Sequence, residues 1–253
     1  MDINKAKQEV INLCRKIYNK GWAANHDGNI TIRVQENLVV ATPTAESKDD
    51  ITEDMLIGLD LTGKQVFGTL KPFSEFNLHI ACYKNRPDIS TVIHSHAPYA
   101  SAYAIVNKAL DIVSMPEVVV SIGAKIPITE FAMPGSEESY NEVDKLIKEY
   151  NTLLLSGNGV LSVGQDPTQA FLRMELVEHF AKINQIASTI GHVRSIGQQE
   201  IDVLLEKRKK AGLDPKFSIE NKVFSASTKI QENSNTQELE KIITEEVMKL
   251  LEH

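Results

Sequence analysis

His94 and His96 stand in the run STVIHSH at residues 90–96, which reads as a short strand. Residues i and i+2 of a strand project to the same face, so the two imidazoles can converge on one cation. Neutral imidazole suits Zn, Cu, Fe and Ni, and a nearby carboxylate would complete a hydrolytic or Lewis-acid centre. Taken alone the pair fits two polar residues at a strand end equally well, so its neighbours must decide. His26, His79, His179 and His192 have no such convergence and read as surface or helix-packing residues. Cys14 and Cys82 lack the CxxC spacing of a redox motif or a zinc knuckle and read as buried thiols.

The elements that must position the histidines follow from periodicity. Val10, Ile11, Leu13, Cys14 and Ile17 recur at helical spacing within residues 5–20, and Gly21 supplies a stop. Residues 30–34 and 38–41 are β-rich runs around the polar turn Gln35, Glu36 and Asn37, a hairpin pattern. An extended stretch is expected over 66–72 and a helix over 75–86, ended by Pro87. Beyond the histidine strand, 98–106 is helix-compatible, and 137–149 and 167–190 look helical. The apolar pieces 117–121 (EVVVS), 153–155 and 160–163 read as extended. Strands joined by short turns predict a mixed α/β fold with a largely antiparallel central sheet and helices packed over it.

Composition narrows the function. The 253 residues carry 27 Lys and Arg against 34 Asp and Glu, net charge -7, without a basic patch, which argues against a sequence-independent nucleic-acid binder. A mean hydropathy of -0.20 and the absence of an apolar run near ~18 residues argue against a membrane span. The opening Met-Asp-Ile-Asn-Lys lacks the pattern of a secretory leader, so a reducing cytoplasm is the expected location.

Several separated blocks now add up. Gly28-Asn29, Thr42-Pro43-Thr44, Lys71 to Glu75 (KPFSE), His94 to Ala100 (HSHAPYA), Met133 to Glu137 (MPGSE) and residues 153–164 occur in the order found in class II sugar-phosphate aldolases. Over residues 5–213 the chain resembles that family, which includes fuculose-phosphate aldolase and ribulose-phosphate 4-epimerase enzymes and the noncatalytic adducin head domain. The resemblance implies a three-layer fold and metal-dependent cleavage of a ketose 1-phosphate, of the fuculose or rhamnulose type, to dihydroxyacetone phosphate and an aldehyde such as lactaldehyde. It implies metal ligation by Glu75, His94 and His96, with Glu75 also the general acid/base, and a fourth ligand position at Asn158. It places the substrate phosphate at Gly28, Asn29, Thr44, Ala45, Phe73 and Ser74. It further implies a homo-oligomer, commonly a tetramer with sites between subunits.

Three departures stand out. Asn158 occupies a position where relatives carry histidine, and a neutral amide oxygen is a weak zinc donor; Zn remains the first expectation, with Mn or Co as the oxygen-tolerant alternatives. Thr44-Ala45 replaces a Thr/Ser-Gly pair and Phe73-Ser74 a Ser-Ser pair, removing one hydroxyl. A catalytic tyrosine of one branch falls near Met115, leaving Tyr99 and Glu117 as candidate substitutes. A 4-epimerase uses the same bond cleavage, and an adducin-like module that has lost the metal is the different-class alternative, supported by Asn158.

The family-like domain is expected to fill residues 1–224. The polar stretch 225–236 reads as a linker. In 237–253, Leu239, Ile242, Ile243, Val247, Leu250 and Leu251 form one apolar stripe opposed by Glu238, Lys241, Glu245 and Lys249, an amphipathic helix. Its pattern resembles the encapsulation peptides that deliver enzymes to the shell proteins of bacterial microcompartments; packing on its own oligomer is the alternative. Leu251-Glu252-His253 could instead be the stub of an expression tag.

Overall fold

A computed structural model describes residues 1–111 and 114–215; the expected linker and terminal helix lie outside them. The chain opens with helix α1 (Ile3–Asn19), started by Asp2, whose Oδ1 accepts from Lys5 N at 2.9 Å. Strands β1 (Asn29–Gln35) and β2 (Leu38–Ala41) form the expected hairpin, followed by β3 (Ile57–Leu59) and β4 (Gln65–Phe67). Helix α2 (Phe76–Asn85) leads to β5 (Thr91–Ser95), then α3 (Pro98–Ile105), α4 (Pro116–Ser121) and α5 (Glu137–Leu146). Strands β6 (Thr152–Leu154) and β7 (Val160–Gly164) precede α6 (Pro167–Ile190) and α7 (Gln198–Lys210).

The seven strands make one sheet in the order β4-β3-β2-β1-β5-β7-β6, and every neighbouring pair is antiparallel. The period-2 alternation of side chains divides the core into two layers. Ile30, Ile32, Val40, Ile93 and Val160 face α1, α3 and α6, while Val39, Ala41, Val92, Leu161 and Val163 face α2 and α5. His94 follows Val92 by two residues, so its ring is delivered to the α2 side from the middle of the sheet.

The predicted antiparallel α/β architecture is therefore present, with two local corrections. The EVVVS run is helical, not extended: Pro116 presets the first helical φ, and Val119 packs beside Ile201, Leu204 and Leu205 of α7. Tertiary contact overrides the strand preference of three consecutive valines. The stretch 66–72 is strand only to Phe67, because Gly68 at φ +85° turns the chain away.

Candidate active site

The site grows from β5. His94 is fully buried and paired across the sheet with Asn29 on β1 and Leu161 on β7. Its Nδ1 lies 3.1 Å from Val160 O, and a carbonyl can only accept, so Nδ1 carries the proton and Nε2 presents a lone pair. That Nε2 is buried without a hydrogen-bond partner, 3.6 Å from Glu75 Oε2. Burial pushes the His94 imidazole below its ordinary pKa, with the Glu75 charge opposing the shift. His96 lies one residue past the strand, its N–H donating to Trp22 O at 3.0 Å and its ring 5.2 Å from that of His94.

Glu75 occupies the N-cap position of α2, where the helix dipole favours a carboxylate, yet its side chain makes no capping bond. Instead Oε2 accepts from Asn29 Nδ2 at 3.2 Å and Oε1 from Asn158 Nδ2 at 2.6 Å. Asn158 reaches it from the β6–β7 turn, between Gly157 at φ +68° and Gly159 at φ +77°. A Cβ on Gly159 would collide with Ser95 O and crowd the His96 ring, so glycine there lets the turn close on the histidine strand. The amide must show its NH2 to the carboxylate, so in this arrangement Asn158 holds Glu75.

The residues expected at the phosphate fall in adjoining loops. Gly28 adopts φ +72° beside the His94 carbonyl, and Thr44 N donates to Lys71 O at 3.0 Å while Pro43 bridges Pro72, joining the segment before Ala45 to that before Phe73. Ala45 and Ser74 are exposed, whereas the Phe73 ring turns into the core, 5.8 Å from Phe76 and 5.1 Å from His79, and leaves only its backbone to the loop. Tyr99 packs in the opposite layer, its ring 5.4 Å from Lys182 Nζ, and Glu117 is exposed on α4, so neither joins Glu75. Two clefts, one beside Lys5 and Leu213 and one beside Trp22, Tyr99 and Lys182, contain none of Glu75, His94, His96 or Asn158.

Two residues were missed by sequence reasoning. His79 is completely buried and bonded to Asn29 and Thr31; its signal was the i, i+4 spacing from Glu75, which places both on one helix face. Lys48 is 1% exposed, and its Nζ donates to His26 O and Glu46 O at 3.2 and 3.1 Å, tying together the segments that flank Gly28 and Ala45. Burial pushes its amine below the usual lysine value. No local pattern marks it. His26, His179 and His192 are exposed, and both cysteines are buried, as expected.

Among the described residues no three His, Cys, Asp or Glu side chains form a ready-made metal cage. The bare, buried Nε2 of His94 beside a carboxylate oxygen nevertheless fits a cation, since no protein donor satisfies it.

Comparison with known proteins gives the same direction. The family model for the class II aldolase and adducin N-terminal domain matches residues 8–185. The chain is 31% identical over 182 residues to the L-fuculose phosphate aldolase of Methanococcus maripaludis, covering 72% of this chain and 97% of that protein. It is 29% identical over 214 residues to the L-fuculose phosphate aldolase of Escherichia coli, covering 84% and 98%. A solved structure of L-fuculose 1-phosphate aldolase superposes with TM-score 0.77 at 28% identity, covering 83% of this chain and 98% of that one. Fold, site order and sequence agree that this chain belongs to the class II aldolase and adducin family, as a class II aldolase.

Proposed function

We propose that the chain cleaves a ketose 1-phosphate of the fuculose or rhamnulose type to dihydroxyacetone phosphate and a short aldehyde. The observation that carries this reading is the unpartnered Nε2 of His94, buried 3.6 Å from Glu75 Oε2. His94, His96 and Glu75 would hold a divalent metal, Zn first and Mn or Co as alternatives, with Asn158 beside them. Such an ion supplies Lewis-acid stabilisation of the negative charge that develops on substrate oxygen.

The chain's own residues do the rest. When the C3–C4 bond breaks, its electron pair stays on the dihydroxyacetone side and C3 must gain a proton. The C4 hydroxyl loses its proton as the aldehyde forms, and Glu75, a carboxylate at rest, takes up a proton and hands one to C3, so the cleavage is proton-neutral overall. Asn29 and Asn158 hold its two oxygens, so the carboxyl group is oriented before substrate arrives. Backbone N–H groups and hydroxyls of the segments bearing Gly28, Asn29, Thr44, Ala45, Phe73 and Ser74 surround the phosphate, Thr44 through its hydroxyl because Lys71 O takes its N–H, with Lys48 bracing the loops from beneath.

The test is turnover of fuculose, rhamnulose, ribulose and 5-deoxyribulose phosphates by protein reconstituted with Zn, Mn or Co, followed by release of dihydroxyacetone phosphate. Cleavage of one of them is expected; absence of both turnover and divalent-ion binding would point to the adducin-like alternative. The assembly belongs to the same reading: a cytoplasmic homotetramer, domain 1–224, whose 237–253 stripe addresses it to a microcompartment shell. Deleting residues 226–253 should leave activity and assembly intact and abolish co-localisation with shell proteins.

A further inference from the structure

His79 lies one helical turn beyond Glu75, buried beneath it. Its Nε2 is 2.6 Å from Asn29 Oδ1 and its Nδ1 is 2.7 Å from Thr31 Oγ1, which in turn lies 2.8 Å from the Tyr83 hydroxyl. The polarity of this chain is dictated from one end. A carboxylate only accepts, so Asn29 turns its NH2 toward Glu75 and its carbonyl oxygen toward His79. That oxygen also only accepts, so His79 must carry its proton on Nε2. Nδ1 is then the acceptor for the Thr31 hydroxyl hydrogen. From Glu75 to Thr31 each orientation leaves the next group one choice; the Tyr83 hydroxyl beyond it also reaches the carbonyls of Thr31 and Ser90.

The surroundings keep the ring in that role. The Phe73 and His79 rings pack in a tilted edge contact with centroids 5.1 Å apart, and α2 itself fixes the residue against β1. Complete burial disfavours the imidazolium, which would need a second acceptor where Thr31 already donates.

We propose that His79 is a positioning residue: through a single Nε2–H bond it sets the orientation of the Asn29 amide, and thereby holds Glu75 Oε2 in the site. The consequence for turnover rests on Glu75 being the acid/base of the proposed reaction; the bonding pattern does not.

The first measurement uses the full chain labelled with 15N-histidine. Nitrogen chemical shifts and two-bond couplings should show His79 as the Nε2–H tautomer at pH 7.5. The Nδ1–H tautomer or a protonated ring would overturn the proposal. The second compares His79→Gln, which retains an N–H donor near the position of Nε2, with His79→Leu, which does not. With Zn restored and a cleaved sugar phosphate as substrate, His79→Leu should lose kcat about 10- to 100-fold with KM nearly unchanged, and His79→Gln should recover most of it. Equal losses in two folded variants would overturn the proposal. If the wild-type chain cleaves no sugar phosphate, the aldolase reading fails, and a separate readout still decides this one. The Asn29 side-chain amide resonance should be preserved in His79→Gln and shifted in His79→Leu; an identical resonance in both would refute the link.

Discussion

A Cβ placed on Gly28 would stand 2.7 Å from the carbonyl oxygen of His94. The loop that begins the expected phosphate site thus lies directly against the strand that carries the buried imidazole. Gly28 also sits at φ +72°, where an L side chain is strained. Gly28→Ala should therefore cost roughly 2 kcal/mol, combining left-handed backbone strain with a displaced strand. Urea denaturation checks the loss; stability equal to wild type would mean that the loop can move off β5 freely.

Ala45 makes the opposite prediction. It adopts φ +62° with an exposed side chain, retaining the left-handed turn after losing the glycine that suits it. Ala45→Gly should raise the urea midpoint, by about 1 kcal/mol in free energy, without changing the slope. A lowered midpoint would show that chain entropy outweighs the relief of strain.

Much of this arrangement was legible in the chain. The hairpin Asn29–Gln35 with Leu38–Ala41, the histidine strand and α2 with Glu75 at its start follow from local signals: short β-rich runs bounded by turns, and helical spacing ended by Pro87. What escaped depended on distant partners. The valines of α4 carry a strand signature until α7 covers them, and β3 has only three residues, too few for a period to show. His79 and Lys48 are polar groups whose meaning lies in the atoms they meet: an Asn29 oxygen in one case, two backbone carbonyls in the other. The family resemblance makes Asn158 a fourth ligand position, whereas its contact with Glu75 comes from a turn closed by two glycines.

Asn158→His should strengthen zinc binding. Imidazole is a better Zn donor than a neutral amide oxygen, and the turn already brings this residue to Glu75. An affinity gain of about tenfold, equivalent to about 1.4 kcal/mol, is expected in chelator competition. A weaker variant would indicate that holding Glu75 Oε1 matters more than adding a ligand.

Cys14 and Cys82 should be silent toward thiol reagents in the native protein. Both are fully buried, and burial pushes the Cys14 thiol up to about 12 and the Cys82 thiol in the same direction. With Ellman's reagent at pH 8, no thiol should react until urea unfolds the chain, whereupon both should be titrated. Rapid reaction of either in native buffer would contradict the packing of α1 or α2.

His79 gives the stability curve an acid limb with a definite sign. Burial holds its folded pKa well below the ordinary histidine value, while the unfolded chain binds a proton near pH 6.5. Above that pH the ring is neutral in both states and contributes no slope. As pH falls below it, the unfolded state takes up a proton that the folded state refuses, so stability declines, by up to about 1.4 kcal/mol per pH unit, until the folded pKa is reached. His94 is depressed by burial too, but it is present in wild type and variant alike. Comparing His79→Gln with wild type therefore isolates one proton: the variant's stability should fall less steeply from pH 6.5 downward. An unchanged slope would mean that His79 is protonated as readily in the fold as in the open chain, which its place between Asn29 and Thr31 does not allow.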